Sequence, residues 1–401
     1  MENHCNQARE KFRVPDQSFS SFYLPSVNSI FKRLKLPHNL PLQLKAAEDY
    51  YDIDSKLTIN LRNKMVYGGI SYKHRETYLN FVQQIIRPKD FDKNVMGELL
   101  SRSYGVKSNA GAWLAALEGF SQTRALELSL PVIEFIRNRA EADLAFLESS
   151  KSNGIDKKDE HTQYKWMAAF ASKNTLVDNG VIKTAVKTHS KITSPGDYSR
   201  FKKHDWLNIL RFNLSFEADF YLSAIATYDL AIHSYFFGGS REANQPYFLE
   251  ISQKYSKTKN IRNLFEALLD AIRWQNTVQK NTPLAWNALA QCIETSDPHN
   301  LMNKWRSGKE LPSSYKFSSF INKLDAHENE VEKFIVEQYM EISIALDTLL
   351  LEWTSTGEGL LDELEQLNIH ITNIELEGLI KEVIARLEKH YVAVSCQNGK
   401  R

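Results

Sequence analysis

The chain has 401 residues, enough at about 150 per domain for two or three domains with sizeable cores. Hydrophobic residues at 42%, charged residues at 25% and a mean hydropathy of -0.42 are ordinary for a globular protein, and they exclude a disordered chain, a collagen-like repeat and a disulfide scaffold. The formal charge of +1 hides an asymmetry: between Ala326 and His390 about fifteen acidic side chains face four basic ones, so that segment carries about -11 and residues 1 to 325 roughly +10.

In chain order, residues 1–20 read as a polar tail. Met1 to Arg13 has no apolar core of signal-peptide length, and no stretch approaches about 18 uninterrupted apolar residues, so membrane insertion is not expected. Cys5, Cys292 and Cys396 lie far apart without paired spacing, which suits a reducing compartment; the expected address is the cytoplasm. Residues 21–147 form an N-terminal helical region. Within it Ser129 and Pro131 read as a helix start, because proline at the first helical position loses no needed N–H, and Val132 to Leu147 continue as helix. The run Glu148 to Thr162 is polar, contains Gly154 and reads as an exposed linker.

Residues 163–282 read as a central helical region, broken at Thr193–Ser199 by Pro195 and Gly196 and at Phe237–Gln245 by Gly238 and Gly239. The densest basic run falls here, Ile182 to Arg211, with Lys183, Lys187, Lys191, Arg200, Lys202, Lys203 and Arg211 against Asp197 and Asp205. Such a surface suits nucleic acid, and it equally suits solubility. Three stripes recur at three and four residues and predict core-facing helices: Ile261, Leu264, Phe265, Leu268, Leu269, Ile272; then Val331, Phe334, Ile335, Ile342, Leu346, Leu349, Leu350; then Leu376, Leu379, Ile380, Val383, Ile384, Leu387. The last two belong to acidic C-terminal helices at 326–391, with a tail at 392–401. No alternating strand pattern and no repeat of fixed period is visible, so the expected fold is all-α, a multi-helix protein ending in an acidic helical pair.

Enzyme signatures are absent: there is no phosphate loop, no GxGxxG, no HExxH and no GxSxG. Lys158, Asp159, Glu160 and His161 are a charge run in the linker. His204 and Asp205 are neighbours that point apart on a helix, and Glu363 and Glu365 lie two apart on an acidic face. No catalytic group, cofactor or metal ion is expected.

One motif stands out. In residues 283–325, Trp305-Arg306-Ser307-Gly308-Lys309-Glu310-Leu311-Pro312-Ser313 precedes Phe317, Phe320, Ile321 and Leu324. Gly308 can take the left-handed conformation that ends a helix, Pro312 suits the first turn of the next, and Trp305 packs between them. Upstream, Leu289 and Ala290 form an apolar pair, and Pro298 opens a helix with Asp297 or Ser296 as cap. This segment resembles the helix-turn-helix of lambda-repressor-like (Cro/C1-type) regulators. The resemblance covers about forty residues, with Ser296-Asp297 where the family has a glycine and an apolar residue, and about two residues more between Ala290 and Trp305. It implies a recognition helix in the major groove of DNA, with His299, Asn300, Asn303 and Arg306 at base edges and Lys304, Lys309, Ser313 and Ser314 on phosphates. Met302 and Trp305 would face inward.

A fainter echo at Leu99 to Gly119 has the glycine-apolar turn at Gly105-Val106, followed by Trp113, Leu114 and Leu117, and reads better as a packed helical hairpin than as a DNA reader. The expected function is DNA binding, with a homodimer or protein partner through the Leu376 to Leu387 stripe, or that acidic stretch folded back on the chain's own basic surface. Two rivals stay open: a helical interaction or scaffold protein in which the Trp305 corner is only structural, and a nucleic-acid-processing enzyme whose site is assembled from distant residues.

Overall fold

Helical periodicity carries through the chain. The computed structural model describes residues 23–33, 40–67, 71–85, 109–111, 113–114, 117, 130–152, 160–192, 197–237, 245–258, 261–276, 282–324, 330–366 and 369–398, and among them every regular element is a helix. The protein is all-α. It divides into two units, one of residues 1–126 with 136–149, the other of residues 127–135 with 150–401.

The first unit holds α1 (Val27–Arg33), α2 (Leu40–Tyr51), α3 (Ile59–Tyr67), α4 (Tyr72–Ile85) and the middle of α5 (Leu130–Ser152), which begins next to Pro131 as the sequence suggests. Leu44, Leu57, Met65 and Phe81 form a small core. The loop from α2 to α3 holds Asp52 and Lys56 at positive φ, 53° and 57°, uncommon for residues with a Cβ. A part-buried ion pair holds the loop: Arg62 Nη2 donates to both Glu48 oxygens at 2.6 and 2.7 Å, while the Ser55 N–H donates to Glu48 at 3.1 Å. Burial pushes the Glu48 carboxyl up, but these hydrogen bonds outweigh it and hold it below the usual range.

The fainter motif belongs to this unit. Asn109, Trp113 and Leu117 are buried; Asn109 Nδ2 donates to the Leu24 carbonyl at 2.9 Å and Trp113 Nε1 to that of Pro25 at 2.8 Å. The segment is spent on packing, while Gly105 and Val106 lie outside the described residues.

The second unit contains α6 (Glu160–Asn174), α7 (Asn179–His189), α8 (Lys203–Phe237), α9 (Tyr247–Lys257), α10 (Leu264–Gln275), α11 (Trp286–Ala290), α12 (Pro298–Arg306), α13 (Ser314–Asn322), α14 (Glu330–Gln366), α15 (Asn373–Ala385) and α16 (Leu387–Asn398). Of the expected linker, residues 148–152 belong to α5 and 160–162 to α6; residues 153–159 lie outside the described set. At 1.5 Å per residue the 35-residue α8 spans about 52 Å. Buried Phe212, Leu214, Phe216, Phe220, Leu222, Ile225 and Ile232 surround it on all sides, as befits a central helix, and α7, α9, α15 and α16 pack against it. Among the described residues no helix is long and apolar enough to cross a membrane.

Two aspartates join these helices. Asp229 on α8 accepts from the Phe248 N–H at 3.0 Å, at the start of α9, whose own cap position, Pro246, offers no side chain. The same carboxylate accepts hydrogen bonds from Tyr339 of α14 and Tyr391 of α16. Asp347 on α14 accepts from the Leu264 and Phe265 N–H groups at 2.8 and 2.9 Å, the first two residues of α10. In both cases a helix is capped by a residue of another helix. In the first unit, Asp143 likewise accepts from the Tyr23 and Leu24 N–H groups at 3.3 and 3.1 Å.

Burial dominates the charge state of these groups. It pushes the Asp347 carboxyl up to about 7, against the two N–H donors that favour the anion. The folded chain therefore holds this proton more tightly than the unfolded chain, so the stabilisation is complete below about pH 4 and is lost as pH rises through about 7. Asp347→Asn, neutral throughout, is expected to show a smaller fall in Tm between pH 5 and pH 8 than wild type. Equal slopes in thermal melts would show that Asp347 does not set this dependence.

The C-terminal region differs from expectation in three ways. It holds three helices rather than a pair, and α16 runs to Asn398 through the stretch read as a tail, with Tyr391 and Val394 buried. The inward face of α14 is carried by Val336, Tyr339, Met340, Ile344 and Asp347 together with Leu346, Leu349 and Leu350, while Ile335 and Ile342 are only half-buried. A stripe drawn from aliphatic residues alone misses a face that includes Ser343 and Asp347. Finally, Leu376, Leu379, Ile380, Val383, Ile384 and Leu387 are buried within their own unit, where α15 packs on α8, α9 and α14, so this stripe is no free face for a second copy. The other expectation for it describes the arrangement: Lys203 pairs with Glu375 at 2.8 Å and Arg211 with Glu382 at 3.2 Å.

Candidate nucleic-acid interface

Local chemistry shapes the 284–324 segment. Asp297 caps α12, its Oδ1 accepting from the Asn300 N–H at 3.2 Å, and Pro298 is the first helical residue. The helix stops at Ser307 and Gly308, whose φ of 70° lies in the region a Cβ disfavours. Ser313 caps α13 by accepting from the Lys316 N–H at 3.4 Å. Pro312 thus stands one residue before the cap rather than inside the first turn. There its missing N–H costs nothing, and it is buried, as is Phe317 five residues on, the two positions of a hydrophobic staple.

In the turn from α11 to α12 the buried apolar residue is Ile293, whose N–H donates to the Ala290 carbonyl at 2.9 Å. Leu289, Ala290, Ile293, Met302, Trp305, Phe317, Phe320, Ile321 and Leu324 are buried together as the core of the corner. Trp305 meets Phe320 edge-on at 5.8 Å and Phe265 of α10 at 6.3 Å between ring centroids.

The side chains expected to touch DNA fall into two groups. His299, Asn300 and Asn303 are exposed on the outer face of α12, and Lys309 is exposed just past Gly308. The amides of Asn300 and Asn303 and the Lys309 ammonium make no hydrogen bond among the described residues, while His299 hydrogen-bonds to the Gln291 amide at 3.1 Å. Lys304 is half-buried and pairs with Glu310 at 3.4 Å; Ser313 is spent on its cap; the Ser314 side chain lies outside the described set.

Arg306 is turned toward the body of the protein. Its Nε and Nη2 donate to Glu266 of α10 at 3.0 and 2.9 Å, and its carbonyl accepts from Asn263 Nδ2 at 2.9 Å. Its guanidinium carbon lies 4.0 Å from the centroid of the Trp286 ring, and that of Arg273 lies 4.1 Å from the same centroid. Both guanidinium groups therefore make cation–π contact with Trp286, and Glu266 and Asp270 neutralise them. Burial lowers the pKa of Arg273, Asp270 opposes this, and Arg306 adds to the lowering. Arg306 is therefore a positioning residue that fixes the angle between α12 and α10.

Sequence reasoning passed over Gln291, Tyr315 and Lys316. Tyr315 is 82% exposed in the first turn of α13, beside exposed Lys316, which pairs with Glu310 at 3.6 Å. The signal available was position: both follow the Ser313 cap and share the end of the corner that bears Lys309. Residues 284 to 324 carry five cations against three carboxylates, a mild positive balance.

Among the described residues no three His, Cys, Asp or Glu side chains come together as a metal site. His161, from the charge run, stacks on His189 at 5.8 Å, and His204 hydrogen-bonds to Asn208 at 3.1 Å while Asp205 is held by Lys191. No protein-family model, no curated protein and no solved structure matches this chain.

Proposed function

We propose that this protein binds duplex DNA through α12, with His299, Asn300 and Asn303 at base edges and Lys309, Lys316 and Tyr315 on the flanking phosphates. The observation that supports it is the division of α12: one face is locked by Met302 and Trp305, and the opposite face presents amides and an imidazole to solvent. An asparagine amide offers the paired donor and acceptor that adenine presents in the major groove. Arg306 has no part in base reading here, because Glu266 and Trp286 hold it.

The test is a sequence selection from random duplexes followed by fluorescence anisotropy. Asn300→Ala with Asn303→Ala is expected to weaken binding to the selected sequence by at least about thirty-fold, from about 1–3 kcal/mol for each of two bidentate contacts, while random duplex binds about as before. Equal binding of selected and random duplex by the wild-type chain would end this reading. The rival, a helical interaction protein, is favoured by the Arg273–Trp286–Arg306 stack, which fixes the corner with or without DNA. It gains if no duplex is retarded even at low salt.

A further inference from the structure

The densest basic run of the sequence is not absorbed by α12. Of its seven cations, three are neutralised: Lys191 by Asp205 at 2.6 Å, Lys203 by Glu375 at 2.8 Å and Arg211 by Glu382 at 3.2 Å. The other four, Lys183, Lys187, Arg200 and Lys202, are exposed and form no ion pair among the described residues. We propose that these four side chains, two on α7 and two at the entry to α8, form a second surface for duplex DNA that grips backbone phosphates. It shares its ligand with the reading of α12 and none of its residues.

The four fall into two pairs, and Asp205 ties the elements that bear them. Lys183 and Lys187 are one turn apart on α7, about 6 Å along its axis. Asp205 joins this helix to the other pair: its Oδ1 takes Lys191, just past α7, and its Oδ2 accepts from the Lys202 N–H at 3.0 Å. Deeper in, Asn208 Nδ2 donates to Thr188 Oγ1 at 3.5 Å across α7 and α8. The segment that bears Arg200 is stiffened by a turn in which Asp197 accepts from the Ser199 N–H at 3.1 Å and its hydroxyl at 2.6 Å. Tyr198, Phe201 and Trp206 lock it further, with ring centroids 5.4, 5.1 and 5.3 Å apart. Little ordering entropy remains to be lost on binding.

The neighbouring carboxylates are occupied. Asp178 caps α7 and pairs with Lys389, Asp197 closes its turn, and Asp205 bridges two helices. Among the described residues of 179–211 no large apolar side chain is exposed, and point cations on a rigid polar face suit phosphates rather than a peptide groove or a lipid interface.

The experiment titrates the full chain with a random-sequence duplex across a range of salt. Each phosphate contact contributes about 0.9 to the slope of log K against log salt, so the variant K183Q/K187Q/R200Q/K202Q is expected to have a slope shallower by about 3–4 and affinity reduced at least about ten-fold at low salt. All four positions are exposed, and an unchanged circular dichroism melt confirms the fold. Unchanged slope and affinity overturn the proposal, and so does a wild-type chain that ignores duplex while binding phosphatidylserine vesicles. The pair N300A/N303A separates the two surfaces. A lost sequence preference with intact slope belongs to α12, and a lost slope in the fourfold variant, whether or not any sequence is preferred, belongs to this surface.

Discussion

Trp305→Ala is expected to cost about 3–5 kcal/mol and to loosen the whole corner from Trp286 to Leu324, because it empties the space where three helices of that corner meet α10. The indole is fully buried between Phe265 and Phe320, and Phe317 closes the cluster against both phenylalanines. Nothing nearby is free to fill the hole: Arg306 is fixed by Glu266, and Asn263 Nδ2 sits 3.4 Å from where a Cβ on Gly308 would be. Trp305→Phe should do much less damage. The indole N–H is buried with no hydrogen-bond partner among the described residues, so the phenyl ring loses some packing but also removes that donor. Urea melts, together with hydrogen exchange of residues 286–324, read both effects. Equal stability of the alanine variant and wild type would show that the corner does not rest on this residue.

The second large effect is expected at Asp229. Asp229→Ala leaves the Tyr339 and Tyr391 hydroxyls and the Phe248 N–H without their acceptor, all of them on buried residues. At about 1–3 kcal/mol for each stranded group the total is several kcal/mol, enough to threaten a fold of ordinary stability. Burial pushes the Asp229 carboxyl above its usual range, and the tyrosine hydrogen bonds pull against that, so the network is balanced as a whole rather than strong in each part. The triple variant D229L/Y339F/Y391F, which removes both hydroxyls with the carboxylate, should therefore be far more stable than the sum of the single changes predicts. Additive losses in chemical denaturation would mean that the three side chains do not act as a unit.

What could be read in the sequence and what could not follow from the range of the forces involved. Leu264 to Ile272, Leu376 to Leu387 and the Trp305–Gly308 stop are local patterns, set by the pitch of a helix and by the conformational freedom of one glycine. The inward-pointing aspartates are not local. Nothing local marks Asp143, Asp229 and Asp347 as buried, because the N–H groups that donate to them lie 120, 19 and 83 residues away along the chain. Arg306 misled for the same reason. In sequence it is the last side chain of a candidate recognition helix, and only the fold reveals Glu266, forty residues earlier, as its partner. Val394 falls in the stretch that reads as tail because polar neighbours break the stripe that would mark α16.

The capping of α10 by Asp347 also orders events in time. The first two N–H groups of α10 wait for an acceptor 83 residues downstream, and α10 is the platform on which Trp305, Arg306 and Asn263 fix the corner. Closing a loop of that length costs entropy before any contact repays it, so the platform is expected to settle only after α14 has docked. A chain still being synthesised would hold its Asn300 and Asn303 face on an unsettled base, and that face would gain a fixed orientation only once the acidic C-terminal helices had arrived.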